Sequence, residues 1–134
     1  MENIIIKASK RTPRINFDFE NHNLSISGES YPEDVNQFYG EIIKALEDYL
    51  TNTSNQTIQV IIDLLYFNSS SAKALIRVFD MLDEAAKSNS INIQWQHEAE
   101  DANMAELGQE FGEDLTRAIF QLVTKESEES ELGN

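Results

Sequence analysis

Asp63-Leu64-Leu65-Tyr66-Phe67-Asn68-Ser69-Ser70-Ser71-Ala72-Lys73 is the stretch whose reading decides the fold. An apolar run, Ile58 to Ile62, precedes it, and an amphipathic pattern extending to Lys87 follows. The run reads as a buried strand and the pattern as a helix, so a loop of small polar residues joins the two. Three adjacent hydroxyls, on Ser69, Ser70 and Ser71, fall where that helix begins. Free N–H groups and the positive end of the helix dipole make such a position hospitable to a phosphate. Serine is also a favoured N-cap, so helix initiation alone explains the same cluster.

Outward from this point the periodicities are clear. Ile4 to Lys7, Arg14 to Phe19 and Asn23 to Ser27 read as short strands, with Glu20-Asn21-His22-Asn23 as a hairpin turn between the second and third. Ser30 with Glu33 fits a capping box, and Pro32 fits a first helical turn. Val35, Phe38, Ile42, Leu46 and Tyr49 then mark one apolar stripe of a helix. The run from Thr57 to Leu64 alternates little, which predicts a central strand covered on both faces. In the helix after the serines, Leu75, Val78, Phe79, Leu82, Ala85 and Ala86 form the inward stripe, with Lys73, Arg77, Asp80, Glu84 and Lys87 opposite. Ile91 to Trp95 reads as a strand, Met104, Leu107, Phe111 and Leu115 as a helix, and Ile119 to Thr124 as a last strand. The expected class is α/β: one domain over residues 1–125, with a mixed sheet and three helices in the order β-β-β-α-β-α-β-α-β. A strand–helix–strand unit across 57–95 should be right-handed and its strands parallel. Residues 126–134, Glu-Ser-Glu-Glu-Ser-Glu-Leu-Gly-Asn, read as an acidic, flexible tail.

Composition narrows the chemistry. The 134 residues carry a net charge of -14 and no cysteine. Disulfides, thiolate zinc sites and a thiol nucleophile are excluded, and nucleic acid is a poor partner for so acidic a chain. No secretory signal and no apolar run of about 18 residues is present, so a cytoplasmic location without membrane insertion is the expectation. His22 and His97 stand alone, without ligands or a base at working distance in sequence, and no nucleophile elbow or phosphate loop occurs. Seven acids and no Lys or Arg lie between Glu98 and Asp114, but the spacing is not that of a calcium loop. Neither a metal nor a cofactor is expected, and no catalytic set is apparent. A phosphate on the loop would add nearly two negative charges, partly offset by Lys73 and Arg77, and so would act as a binding switch.

Three segments carry a family resemblance: Ser27-Gly28-Glu29-Ser30-Tyr31-Pro32-Glu33-Asp34 with Phe38-Tyr39, Tyr66 to Lys73, and Asp101 to Phe111. The strand–serine–helix arrangement resembles the anti-sigma-factor antagonist (STAS-like) architecture, and the segments together resemble the SiaC-type regulatory phosphoproteins of bacteria. That resemblance implies a cytoplasmic switch protein without catalysis of its own. Its unphosphorylated form would bind and activate a diguanylate cyclase, raising cyclic-di-GMP and favouring aggregation or biofilm growth. A partner serine/threonine kinase would phosphorylate the loop, and a metal-dependent serine phosphatase would reverse it. The family's modified residue is commonly the threonine after the loop asparagine, a position held here by Ser69, with Ser70 and Ser71 as neighbouring alternatives. The partner surface implied is Asn68, Ser69, Ser70, Ser71 and Lys73, with Gly28, Glu29, Ser30, Pro32 and Glu33 as an adjoining rim. An antagonist in an anti-sigma partner-switching circuit is the alternative within the same fold. A metal-dependent enzyme using the acids of 98–114 is a third possibility, lacking a nucleophile or base.

Overall fold

The computed structural model describes residues 2–125; the acidic stretch 126–134 lies outside the described residues. Six strands and three helices alternate as expected: β1 (Ile4–Ile6), β2 (Arg14–Asp18), β3 (Asn23–Ser30), α1 (Val35–Thr51), β4 (Thr57–Phe67), α2 (Ser69–Ala85), β5 (Ser90–Glu98), α3 (Ala102–Glu113) and β6 (Ile119–Lys125). The strands form one sheet in chain order, β1 to β6. The first three are antiparallel, and β3, β4, β5 and β6 pair in parallel.

This order explains which side is buried. Three successive crossovers step the same way across the sheet, and with the usual right-handed connection they lay α1, α2 and α3 on one face. Every inner strand then alternates. Ile58, Val60, Ile62 and Leu64 of β4 are buried, while Thr57 and Gln59 are exposed. The expectation that β4 is covered on both faces is therefore corrected: a monotonic strand order leaves one face open. On that face Lys125 of β6 reaches across to Asp63 of β4 at 3.0 Å.

A second correction concerns the start of α1. Its N-cap is Asp34, whose carboxylate accepts from the Gln37 N–H at 3.0 Å. Ser30 instead ends β3, which extends three residues past the expected Ser27. The extension needs a break in register between Gly28 and Glu29, where Leu65 of β4 is passed over. Gly28 sits there at φ 108, a conformation open to glycine and strained for other residues.

The link into β6 hangs on one carboxylate. Asp83 of α2 accepts from the backbone N–H groups of Thr116, Arg117 and Ala118 at 2.8–3.2 Å and from the Thr116 hydroxyl at 3.1 Å. Partial burial alone pushes this carboxyl up, but the four donors outweigh it and hold it at about 2. A folded-state value below the unfolded one stabilises the fold above the unfolded value and loses that contribution as pH falls through the folded one. Asp83→Asn is thus expected to cost about 1–2 kcal/mol at neutral pH, allowing for solvent screening, and to flatten the stability loss between about pH 4 and pH 2. Urea unfolding at several pH values checks both; parallel curves for the two proteins in acid would refute the assignment.

Candidate functional site

Asn68 starts α2 and is its N-cap. Its side-chain oxygen accepts from the Ser71 N–H at 2.9 Å and from the Ser70 hydroxyl at 3.2 Å, and its own N–H donates to the Ser30 carbonyl at 3.1 Å. The loop is therefore pinned to the end of β3 through the Asn68 N–H and closed on itself by the Asn68 side chain. Residues of a helix are turned about 100° from one to the next, so three serines in a row must face three ways.

Ser71 shares the inward stripe of Leu75, Val78 and Leu82 and is fully buried. Its hydroxyl accepts from Ser30 at 2.8 Å, and Ser30 shares a 2.6 Å hydrogen bond with the Tyr39 hydroxyl of α1. Burial pushes the Tyr39 phenol up, so it stays neutral and able to donate. Ser70 is half-buried and faces α1, in a groove lined by Lys44, Lys73 and Arg77. Ser69 is exposed, the first helical residue, and heads the third stripe, continued by Ala72 and Ile76. Among the described residues its hydroxyl has no hydrogen-bond partner, unlike those of Ser70 and Ser71.

The segment expected to form a rim divides between surface and support. Glu29 and Glu33 are exposed, and Glu33 pairs with Arg11 at 3.3 Å. Ser30 and Pro32, expected in the rim, are buried and present little surface to a partner. Tyr31 bridges outward: the Arg11 guanidinium lies 5.3 Å over its ring, and it meets Tyr66 edge-on at 5.7 Å.

The acids of 98–114 are dispersed. Glu98 faces Lys125 at 3.7 Å, Asp101 caps α3 by accepting from the Met104 N–H at 3.0 Å, and Glu110 and Asp114 border a groove against α2. Among the described residues no three His, Asp or Glu side chains converge as metal ligands. His22 is hydrogen-bonded to the Tyr49 phenol, which burial pushes up to about 12, and His97 Nδ1 bonds to the Glu98 carbonyl at 2.8 Å.

Residues 6–125 match the SiaC family of regulatory phosphoproteins. The chain belongs to that family. It is 32% identical over 117 residues to an uncharacterized protein of Pseudomonas aeruginosa (strain UCBPP-PA14), covering 87% of this chain and 92% of that one. Its fold is that of apo-SiaC from Pseudomonas aeruginosa, with a TM-score of 0.83 at 31% identity over 92% of this chain and 100% of the other. It is equally similar to SiaC in the crystal structure of the diguanylate cyclase SiaD with its activator SiaC, with a TM-score of 0.85 at 30% identity over 91% and 99% of the two chains. SiaC membership accords with the three sequence segments singled out above. The third also has a structural reading: Asp101 caps α3, Met104 enters the core, Gly108 sits against Trp95 and Phe111 stacks on it. Tyr39, the partner of the buried serines, and Ile76 on the outer side of α2 were not among the expected site residues. Ile76 was legible as a large aliphatic outside the inward stripe. No helix of the described residues is long and apolar enough to cross a membrane.

Proposed function

We propose that this chain is a non-catalytic, phosphorylation-switched activator of a diguanylate cyclase, with Ser69 as the modified residue. The observation that carries this reading is the contrast among the serines: Ser69 offers an exposed, unengaged hydroxyl, whereas Ser71 is fully buried and hydrogen-bonded. Unphosphorylated, the loop is neutral and docks on the cyclase; the crystal structure of SiaD of Pseudomonas aeruginosa in complex with its activator SiaC supports a cyclase as the partner. A partner kinase adds a phosphate worth about -1.5 to -2 charges, and a metal-dependent serine phosphatase removes it. The first turn of α2 has no acidic residue, so the phosphate sits well on the helix N-terminus. The fold tolerates the charge, and its effect falls on the partner's surface. Cyclase output then controls cyclic-di-GMP and, through it, aggregation or biofilm growth in the cytoplasm where these partners meet.

Peptide-level mass spectrometry on the chain purified from its native cells, with the phosphatase gene deleted, tests the assignment. A single phosphate on Ser69 is the expected result. Phosphate confined to Ser70 or Ser71 overturns the choice of residue, and an unmodified loop overturns the switch.

A further inference from the structure

The sheet ends on two unlike edges. β1 closes one side with 3 residues. β6 closes the other with 7, Ile119-Phe120-Gln121-Leu122-Val123-Thr124-Lys125, and pairs only with β5. A row of its backbone N–H and C=O groups therefore faces outward without a strand partner. Free edges are ordinarily protected by shortness, a proline, a bulge or a charge. β1 is short, but β6 has no proline, no register shift against β5 and no charge before Lys125. Lys125 is turned back over the open face, to Asp63 at 3.0 Å and Glu98 at 3.7 Å. The edge instead shows apolar surface on both sides of the sheet. Phe120, packed on Phe79 of α2, fixes the even-numbered residues on the helical side, so Ile119, Gln121 and Val123 share the open side. Ile119 is 53% exposed and Leu122 39%.

We infer that β6 pairs antiparallel with β6 of a second copy of this chain, about a two-fold axis at Gln121. The strand is self-complementary about that residue. A pairing centred there sets Ile119 opposite Val123 of the second copy, Phe120 opposite Leu122, and Gln121 opposite Gln121, so apolar meets apolar on both sides. Charge selects the same direction. Each chain carries -14, and Glu126, Glu128, Glu129 and Glu131 follow β6 in the sequence. Parallel pairing would set those acids side by side. Antiparallel pairing separates them and carries each set to the other strand's beginning, where Arg117 is exposed and in no ion pair among the described residues. The two-fold axis closes the assembly at two copies. A standard interface takes roughly 20–30 residues a side and β6 offers 7, so the dimer is weak, with a Kd on the order of 10–100 µM. The serine loop follows β4, which β5 separates from β6, so the joint leaves both Ser69 hydroxyls free.

Sedimentation equilibrium on the full chain from about 5 to about 500 µM tests this, and a monomer–dimer equilibrium is the expected result. Gln121→Lys and Gln121→Glu, at an exposed position, each set like charges face to face across the axis and are expected to weaken the dimer by about fivefold or more. Mixing the two variants is expected to restore it as a heterodimer with its charges paired. Ile5→Lys, on the β1 edge, and Ser69→Asp are expected to leave it unchanged. Thermal melts check that the variants stay folded. A chain still monomeric at about 500 µM overturns the proposal, as does a dimer that both Gln121 variants leave intact. Variants that each weaken the dimer without recovery on mixing overturn the axis at Gln121. A monomeric chain that loses its cyclase on Gln121→Lys overturns the assigned occupant in favour of a strand of that partner. The Ser69 switch stands or falls separately, on the phosphate mapping above.

Discussion

Aspartate at Ser69 is expected to leave the fold intact while releasing the partner; aspartate at Ser71, two residues on, is expected to destabilise the chain severely. The difference follows from where one turn of helix points each side chain. At Ser69 the carboxylate meets water and the positive end of α2, a helix with no acid in its first turn. It should add about 0.3–1 kcal/mol of stability, enough to hold the melting temperature or raise it slightly. Its cost appears only in binding, as a drop of about tenfold or more in cyclase affinity, because the partner surface that accepts a neutral loop now meets a charge. At Ser71 the same carboxylate replaces a fully buried hydroxyl that meets Ser30, itself bonded to Tyr39. The group it meets there is a hydroxyl and not a cation, and an uncompensated buried charge costs roughly 3–5 kcal/mol. Against stabilities of about 5–15 kcal/mol in proteins of this size, that is a large share of the total. Circular dichroism melts and a binding titration on the two variants separate the outcomes. Equal melting temperatures would sink the orientation of the serines, and unchanged binding by Ser69→Asp would sink the switch.

The element order was legible because each segment has a single dominant period. Alternating Ile15 and Phe17 are buried on one face of β2 with Phe19 just beyond it, and the spaced Ile42, Leu46 and Tyr49 are buried along α1. What the periods do not encode is long-range pairing. Ser30 fits a capping box by local spacing, but its true partner is Ser71, 41 residues away, and that bond outweighs the local option. Asp34 took over the cap, and β3 ran on to Ser30. The open face of the sheet was hidden for a similar reason. A mostly apolar run, interrupted here by Gln59 and Asp63, looks much the same on a doubly covered strand and on a singly covered one, and only the strand order decides. The candidate site divides likewise. The serine cluster was visible in sequence, whereas the three directions of its hydroxyls required the helix start to be fixed at Asn68 rather than at a serine.

Alanine at Gly108 is expected to destabilise the chain by about 2 kcal/mol, against the ordinary direction of a glycine-to-alanine change in a helix. In an open helical position the substitution gains about 0.5–1 kcal/mol from reduced backbone freedom in the unfolded state. Gly40 of α1 is such a position: a Cβ there meets nothing within 4 Å. At Gly108 the added Cβ would lie 2.4 Å from Cδ1 and 2.5 Å from Nε1 of Trp95. The indole has nowhere to go. It is 1% exposed, its N–H donates to the Met104 carbonyl at 3.1 Å, and it stacks on Phe111 at 5.1 Å. Relief must come from α3 lifting off the sheet or from Trp95 giving up its hydrogen bond, and overpacking of this kind costs about 1–3 kcal/mol beyond the lost propensity gain. The expected readout is a fall of about 5–10 °C in melting temperature for Gly108→Ala and a rise of about 2–4 °C for Gly40→Ala. A Gly108→Ala chain that melts with the unsubstituted one would show that α3 is not seated on the indole.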